Sequence, residues 1–574
     1  MSIEHKVLSA HANGTLLSVV AETPYEETGV LAETLSTLSN SGRIAFLNAC
    51  KSDQLNGLSG TSLYGFQRVF CMTLPRVECS AKAAVVTAGL ILDRAEDALT
   101  ASRVSDALRE WFQRTRQRAQ SGLELIQSDM RMYSRALRPV LVAGAQHDVR
   151  KYASAALSVA RQPMTEGRLD AIAALGLMDL RQHTDLVLEV VRCLEEAIER
   201  PVSDHDAPVA IRAAIGTLQH LGAESCHLIE PVLLKGCRSP TQNALHEIVL
   251  GVYSHKCVYT SRMIDASFSA IASAVQHRRD TIDLIDSLLY EWDIRGDRKR
   301  VLALVVKLFG HDDESLNVER LDAFGHRLRS GSADLLGWYV VSMLMTGEKP
   351  VCLAASQLLP QDEAPKGLDI DLADFSQDGN RILFLCRKII GYCLANKWGA
   401  AALLMSCMRA VPDDLSPELE RTVFDYFLIN YPSSIDWFEK NVSSTDRARS
   451  MVTRLSDKLR KYLSGIQEAG FCEAFRPSER QLGLQHHRET NMWQTIQRQA
   501  YERSIASVLA QESTVLYGTG SIYYLYTGDD SSPHRQVSTF GSYKQEMEIP
   551  RLEVLDPVGL DHALRRFRSE VPLS

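Results

Sequence analysis

The chain has 574 residues, 45% of them hydrophobic and 23% charged, and its 63 Lys and Arg against 71 Asp and Glu leave a formal charge of −8. These are ordinary globular proportions, enough for a large core, and the acidic balance excludes wholesale coating of nucleic acid while leaving room for a local basic patch. No run reaches the roughly 18 apolar residues of a membrane helix; the densest, VLALVVKLF, is interrupted by Lys307.

The opening residues, MSIEHKVLSAHANGTLLSVV, lack a charged region followed by a long apolar run, so no signal peptide is predicted. The 12 cysteines stand singly and mostly inside apolar stretches such as LFLCRKIIGYCLANK. There cysteine acts as a small hydrophobe, and a cytoplasmic location is expected.

Residues 1–140 read as an N-terminal helical region. Within it REWFQRTRQR gathers Arg109, Arg114, Arg116 and Arg118, a weak basic cluster. From 141 to 358 amphipathic helices recur between short breaks. TDLVLEVVRCLEEAIER sets Val187, Val190, Val191, Leu194 and Ile198 on one stripe and stops at Pro201. APVAIRAAIGTLQHLG aligns Ile211, Ile215 and Leu218. SRMIDASFSAIASAVQH aligns Ile264, Phe268, Ile271 and Val275, and DTIDLIDSLLYEW aligns Ile282, Ile285, Leu289 and Trp292. Stripes this narrow cannot stabilise a lone helix, so each helix must pack on its sequence neighbours.

In DVRKYASAALSVA, Asp148, Val149 and Arg150 precede Ala153, Ala156 and Leu157, and APVAIRAAIGTLQHLG repeats this in degenerate form. The pattern resembles the second helix of HEAT-like repeats, over about residues 140–310. The resemblance implies a mostly α fold: an α-solenoid of stacked antiparallel helix pairs. It carries no catalytic residue with it and implies a binding surface instead.

The acidic, proline-containing LPQDEAPKGLDIDLADFSQDGN, residues 359–380, interrupts the helices and opens a second helical region, 359–475. In DFSQDGN the positions of Asp374, Ser376, Asp378 and Gly379 match the start of a calcium loop. The bidentate Glu that should close it is replaced by Leu385. Asp378 or Asn380 as the N-cap of the next helix explains the same residues without an ion. Further on, DRARSMVTRLSDKLRKYL places Arg447, Arg454, Lys458 and Lys461 on one helical face beside Val452, Leu455 and Leu459. Such a stripe suits either phosphate contacts or plain solvation.

The last region, 476–574, starts with a long helix at RPSERQ, where Ser478 and Gln481 make a capping-box pattern after Pro477. Then STVLYGTGSIYYLYTGDD changes the pattern to β. SIYYLYT and HRQVSTF flank the turn GDDSSP as a hairpin, and EMEIPRLEVLDP is expected to add a third strand. Ile522, Tyr524 and Tyr526 alternate with Tyr523 and Leu525, so both faces are apolar. A small C-terminal α+β cap over the last helices is expected. The alternative makes Tyr523, Tyr524 and Tyr526 a recognition row for a base or a partner strand.

Chemistry-bearing motifs are sparse. His220, Cys226, His227, Cys237, His246, His255 and Cys257 cluster in sequence without paired zinc-ligand spacing, and HHRET at 486–490 is not a metalloprotease helix. There is no phosphate-binding loop, dinucleotide fingerprint or nucleophile elbow. No catalytic, metal or cofactor residue is assigned, and no cofactor is expected. The sequence favours a non-catalytic cytoplasmic scaffold that presents a helical surface to a protein partner. A nucleic-acid-binding subunit of a larger assembly is the alternative, and an enzyme with its site in the C-terminal region is the second. No membrane contact is expected, and the oligomeric state stays open.

Overall fold

Val187, Val190, Val191 and Leu194, which the helical period places on one stripe, are all buried in the helix Thr184–Glu199 of the computed structural model. The same holds for Ile211, Ile215 and Leu218 in Asp206–Leu221, and for Ile282, Ile285 and Leu289 in Arg279–Glu291. Local signals end these helices as physics requires. Asp148 caps Val149–Ala160 by accepting the Lys151 amide at 3.1 Å, and Asp378 caps Gly379–Cys393 by accepting the Asn380 amide at 2.9 Å. Ser478 and Gln481 do form the reciprocal capping box, at 2.8 and 3.3 Å, ahead of Glu479–Glu502.

The structure describes all residues except 1, 51–53, 56, 95–97, 164, 222–224, 256–257, 274–278, 293–295, 311–317, 332–333, 360–367, 369, 376–377, 473–476, 503–511, 517–519, 526–533, 540–547 and 573–574. For 98–100, 374, 496–497, 500–502 and the strand residues between 512 and 539 it describes the backbone alone. Val275, Cys257, Ser376 and Tyr526 therefore lie outside the described residues.

The described residues are overwhelmingly helical, and contacts divide the chain into two units, Met1–Trp292 and Asp293–Ser574. In the first unit helices repeatedly pack on a sequence neighbour, on the next but one, or on both. Leu137–Ala145 meets Val149–Ala160 and Arg168–Leu175, and Asp206–Leu221 meets Thr184–Glu199 and Gln242–His255. Gln242–His255 in turn meets Ser261–Ser273 and Arg279–Glu291. Where Arg168–Leu175 ends against Asp206–Leu221 the backbones nearly touch: a Cβ on Gly216 would meet the carbonyl oxygen of Gly176. Only glycine allows that approach.

Polar links recur at a nearly constant sequence distance. Arg116 reaches Asp148 (3.5 Å, 32 residues on), Arg150 grips Asp185 (2.7 and 3.3 Å, 35 residues), and Arg212 donates to Glu247 (2.9 Å, 35 residues). His246 meets Thr281 at 3.2 Å, again 35 residues on. Each bond ties one helix pair to the next.

In the second unit the same distance returns. Arg409 donates to Asp446 (2.7 Å, 37 residues) and the Ile370 amide to Ser406 (3.0 Å, 36 residues). Gly379–Cys393 packs on Lys397–Ala410, on Ser416–Val423 and on the C-terminal helix Pro557–Ser569. Leu560, Ala563 and Phe567 of that last helix are buried, and Phe567 meets Tyr426 edge-on with centroids 5.0 Å apart.

Backbone pairing sets Glu512–Leu516, Gly520–Leu525 and His534–Thr539 in antiparallel order, with Thr514 opposite Ile522 and Ile522 opposite Val537. The expected strand in EMEIPRLEVLDP is absent from its described residues, 548–557. Arg551–Leu555 is a helical turn starting after Pro550, and Asp556 then caps Pro557–Ser569 by accepting the Gly559 amide at 3.0 Å. The reason is tertiary as well as local. Asn430 accepts the Arg551 amide on its carbonyl (3.3 Å) and the Leu552 amide on its side chain (2.9 Å), consuming the donors a ladder would need.

Candidate functional site

The basic stripe is less open than its sequence suggests. Arg447 stands in the turn before the helix Arg449–Gly470 and not on it, because the helix begins after Ala448. Its guanidinium reaches Asp413 at 3.4 Å, and Arg454 donates to Glu420 at 2.8 Å. Lys458 places its ammonium 4.0 Å from the centroid of Phe424, while Lys461 is exposed. Two of the four cations thus face carboxylates of the preceding helical layer, and a third lies on a ring face.

Tyr523 and Tyr524 fall on the strand Gly520–Leu525, where only the backbone is described. In the calcium-like stretch, Asp378 is committed to its helix cap. The Cys and His cluster is dispersed. Gln219 pairs with His255, His246 with Thr281, and Cys237 lies 3.8 Å from Ser267. Among the described residues no group of three or more His, Cys, Asp and Glu is placed to hold a metal ion. His220 is instead brought beside His183, Asp179 and Arg181 in a cavity of about 490 Å³. The side-chain hydrogen bond from Arg181 holds the Asp179 carboxyl down to about 2, so it stays charged there.

A second cavity of the first unit, about 460 Å³, gathers cations from two helices. Gly60–Thr73 supplies Arg68, Ala98–Gln113 supplies Arg103, Asp106 and Glu110, and Arg76 and Arg114 complete it. Arg68 donates to the Thr23 carbonyl at 3.1 Å and lies 4.8 Å over the ring of Tyr25. Its Nε is buried without a hydrogen-bond partner among the described residues. Arg103 donates to the hydroxyl of Tyr64 at 3.1 Å. Arg76 and Arg114 have no side-chain partner among the described residues. Burial pushes the Cys71 thiol in this wall up to about 12, so it adds no negative charge. The sequence reading named Arg114 among four arginines but not Arg68, Arg76 or Arg103. Arg68 and Arg76 come from an earlier helix and the turn after it, while Arg103 shares Ala98–Gln113 with Arg109, and no spacing rule joins the four of the cavity.

A connected polar cluster seats the last helix of the second unit. Lys388 is fully buried, donates from Nζ to the Arg568 carbonyl at 2.7 Å, and lies 5.1 Å from the Phe384 ring centroid. Burial pulls its ammonium below the ordinary lysine range. Lys397 reaches Glu548 at 2.6 Å. These residues seat Glu548–Glu570 on the helical layer. The amphipathic spacing of Leu560, Ala563 and Phe567 was the signal in the sequence for this segment.

No protein-family model matches the sequence, and no curated protein matches it. A crystal structure of an engineered protein aligns with 80% of this chain and 99% of its own, at 12% identity and a TM-score of 0.24. That likeness is too low to assign even the fold.

Proposed function

We propose that this chain is a non-catalytic scaffold, an α-solenoid of HEAT-like character that offers helix faces to a protein partner. The architectural part is supported by neighbour and next-neighbour packing and by polar links that recur about one helix pair apart in each unit.

The observation that carries the function is apolar exposure along Arg449–Gly470 and Glu479–Glu502. Phe471 is 78% exposed and Trp493 38%, with Ile466, Leu482 and Leu484 exposed as well. No described side chain of Glu479–Glu502 is buried. A helix of that length with bare Leu and Trp is not stabilised by its own packing, and clustered apolar exposure marks an interaction surface.

The test is a pull-down with the tagged full chain, run with and without nuclease. The scaffold reading expects protein to be recovered in both, and recovery to fall in the variant Leu482→Glu/Trp493→Ala. Recovery that vanishes with nuclease would transfer the chain to the nucleic-acid-binding class.

A further inference from the structure

We infer that the arginine-lined cavity between Gly60–Thr73 and Ala98–Gln113 is a docking groove for an acidic peptide segment of a partner protein. The inference rests on the scaffold reading and assigns it a second, separate surface.

Charge identifies the class of ligand. Four guanidiniums against the two carboxylates Asp106 and Glu110 leave the groove cationic in a chain whose formal charge is −8. Asp106 is itself held by Arg109 at 3.1 Å. Among the described residues no side chain engages the donors of Arg76 and Arg114, and guanidinium forks bind carboxylates in pairs of parallel hydrogen bonds.

Composition decides between a peptide and a nucleic acid. A phosphate backbone carries one charge per nucleotide and would run past Asp106 and Glu110, which repel it. A peptide can set its carboxylates at the arginines and other side chains between them. The wall also holds apolar contacts, Met72, Pro75 and Ala107, with Tyr25 and Tyr64 exposed beside it. Tyr and Arg together with apolar contact are the composition of a protein-binding hot spot. A cavity of about 460 Å³ accepts a few side chains and not a duplex.

Binding is measured by fluorescence anisotropy on the full chain at low salt. The probes are a short fluorescein-labelled peptide of Glu and Asp around a central Leu, and labelled oligothymidylate of equal charge. The variant is Arg76→Glu/Arg114→Glu, whose side chains have no described partner to lose; a thermal melt checks that it folds like the parent. The expected result is saturable peptide binding, weakened about 10-fold or more in the variant, and weaker binding of the oligonucleotide. An absence of saturable peptide binding overturns the inference, as does an unchanged Kd in the folded variant. Oligothymidylate binding as tightly as the peptide overturns it in favour of nucleic acid. If saturable peptide binding is absent while the pull-down still recovers protein, the scaffold reading stands and this site falls alone.

Discussion

Arg387 and Glu570, 183 residues apart, meet as a two-pronged pair: Nε donates to one carboxylate oxygen at 2.7 Å and Nη2 to the other at 2.6 Å. Both side chains are largely shielded, and Lys388 binds the neighbouring turn through the Arg568 carbonyl. The end of the chain is therefore clamped to the start of a helical layer laid down far earlier.

A double-mutant cycle measures the clamp. Arg387→Ala and Glu570→Ala should each destabilise, and together by less than their sum. The expected coupling is about 1–2 kcal/mol, since the geometry is bidentate and water is partly excluded. Additive losses in urea denaturation would show that the pair contributes nothing of its own.

Glu548 adds pH dependence to the same seat. Burial pushes its carboxyl up, but hydrogen bonds from Lys397 and Ser433, with the lysine charge, hold it below the ordinary glutamate range. A depressed folded pKa means that its stabilisation is complete above the unfolded value, near pH 4.3, and drains away as pH falls through the folded one. Thermal melts of the parent and Glu548→Gln should differ by ~1 kcal/mol at neutral pH and converge below about pH 4. A gap that persists undiminished at acid pH would remove the charge from the account.

Gly216→Ala tests the close helix crossing. Alanine is the better helix former by about 1 kcal/mol, so an open site would gain stability. Here the added methyl meets the Gly176 carbonyl, a backbone atom that cannot step aside. A net loss of ~1–3 kcal/mol is expected from chemical denaturation. A stabilised variant would mean that the two backbones lie further apart.

Truncation separates the C-terminal helix from the strands. Deleting 548–574 uncovers Lys388 and the apolar groups that Phe567 covers, and should lower Tm and promote aggregation. Replacing 512–547 with a short Gly/Ser linker leaves that seat in place. If the sheet caps the helices, Tm falls in this variant too. If Tm holds, the strands are an appendage, and Tyr523, Tyr524 and Tyr526 become recognition residues.

How much of this was legible depends on the range of the interaction. Helix positions and their buried stripes follow from sequence, because burial on one face forces apolar residues into a 3.6-residue period. Caps at Asp148, Asp378 and Ser478–Gln481 are legible for the same reason: each satisfies an amide within three residues. The amphipathic spacing of 557–569 is equally local.

Where those faces go is another matter. That Phe567 lands on Tyr426, that Asp413 and Glu420 face Arg447 and Arg454, and that Arg68, Arg76, Arg103 and Arg114 share one cavity were decided by tertiary packing. Periodicity states which side of a helix must be covered and carries no information about what covers it. Within the stretch expected to extend as a strand, residues 551–557 turn helical where Asn430, more than a hundred residues earlier, takes the Arg551 and Leu552 amides. The sequence by itself determined helices, stripes and caps. Only the folded chain could decide the pairing of distant charges, since that depends on which layers the returning chain brings within a few ångströms.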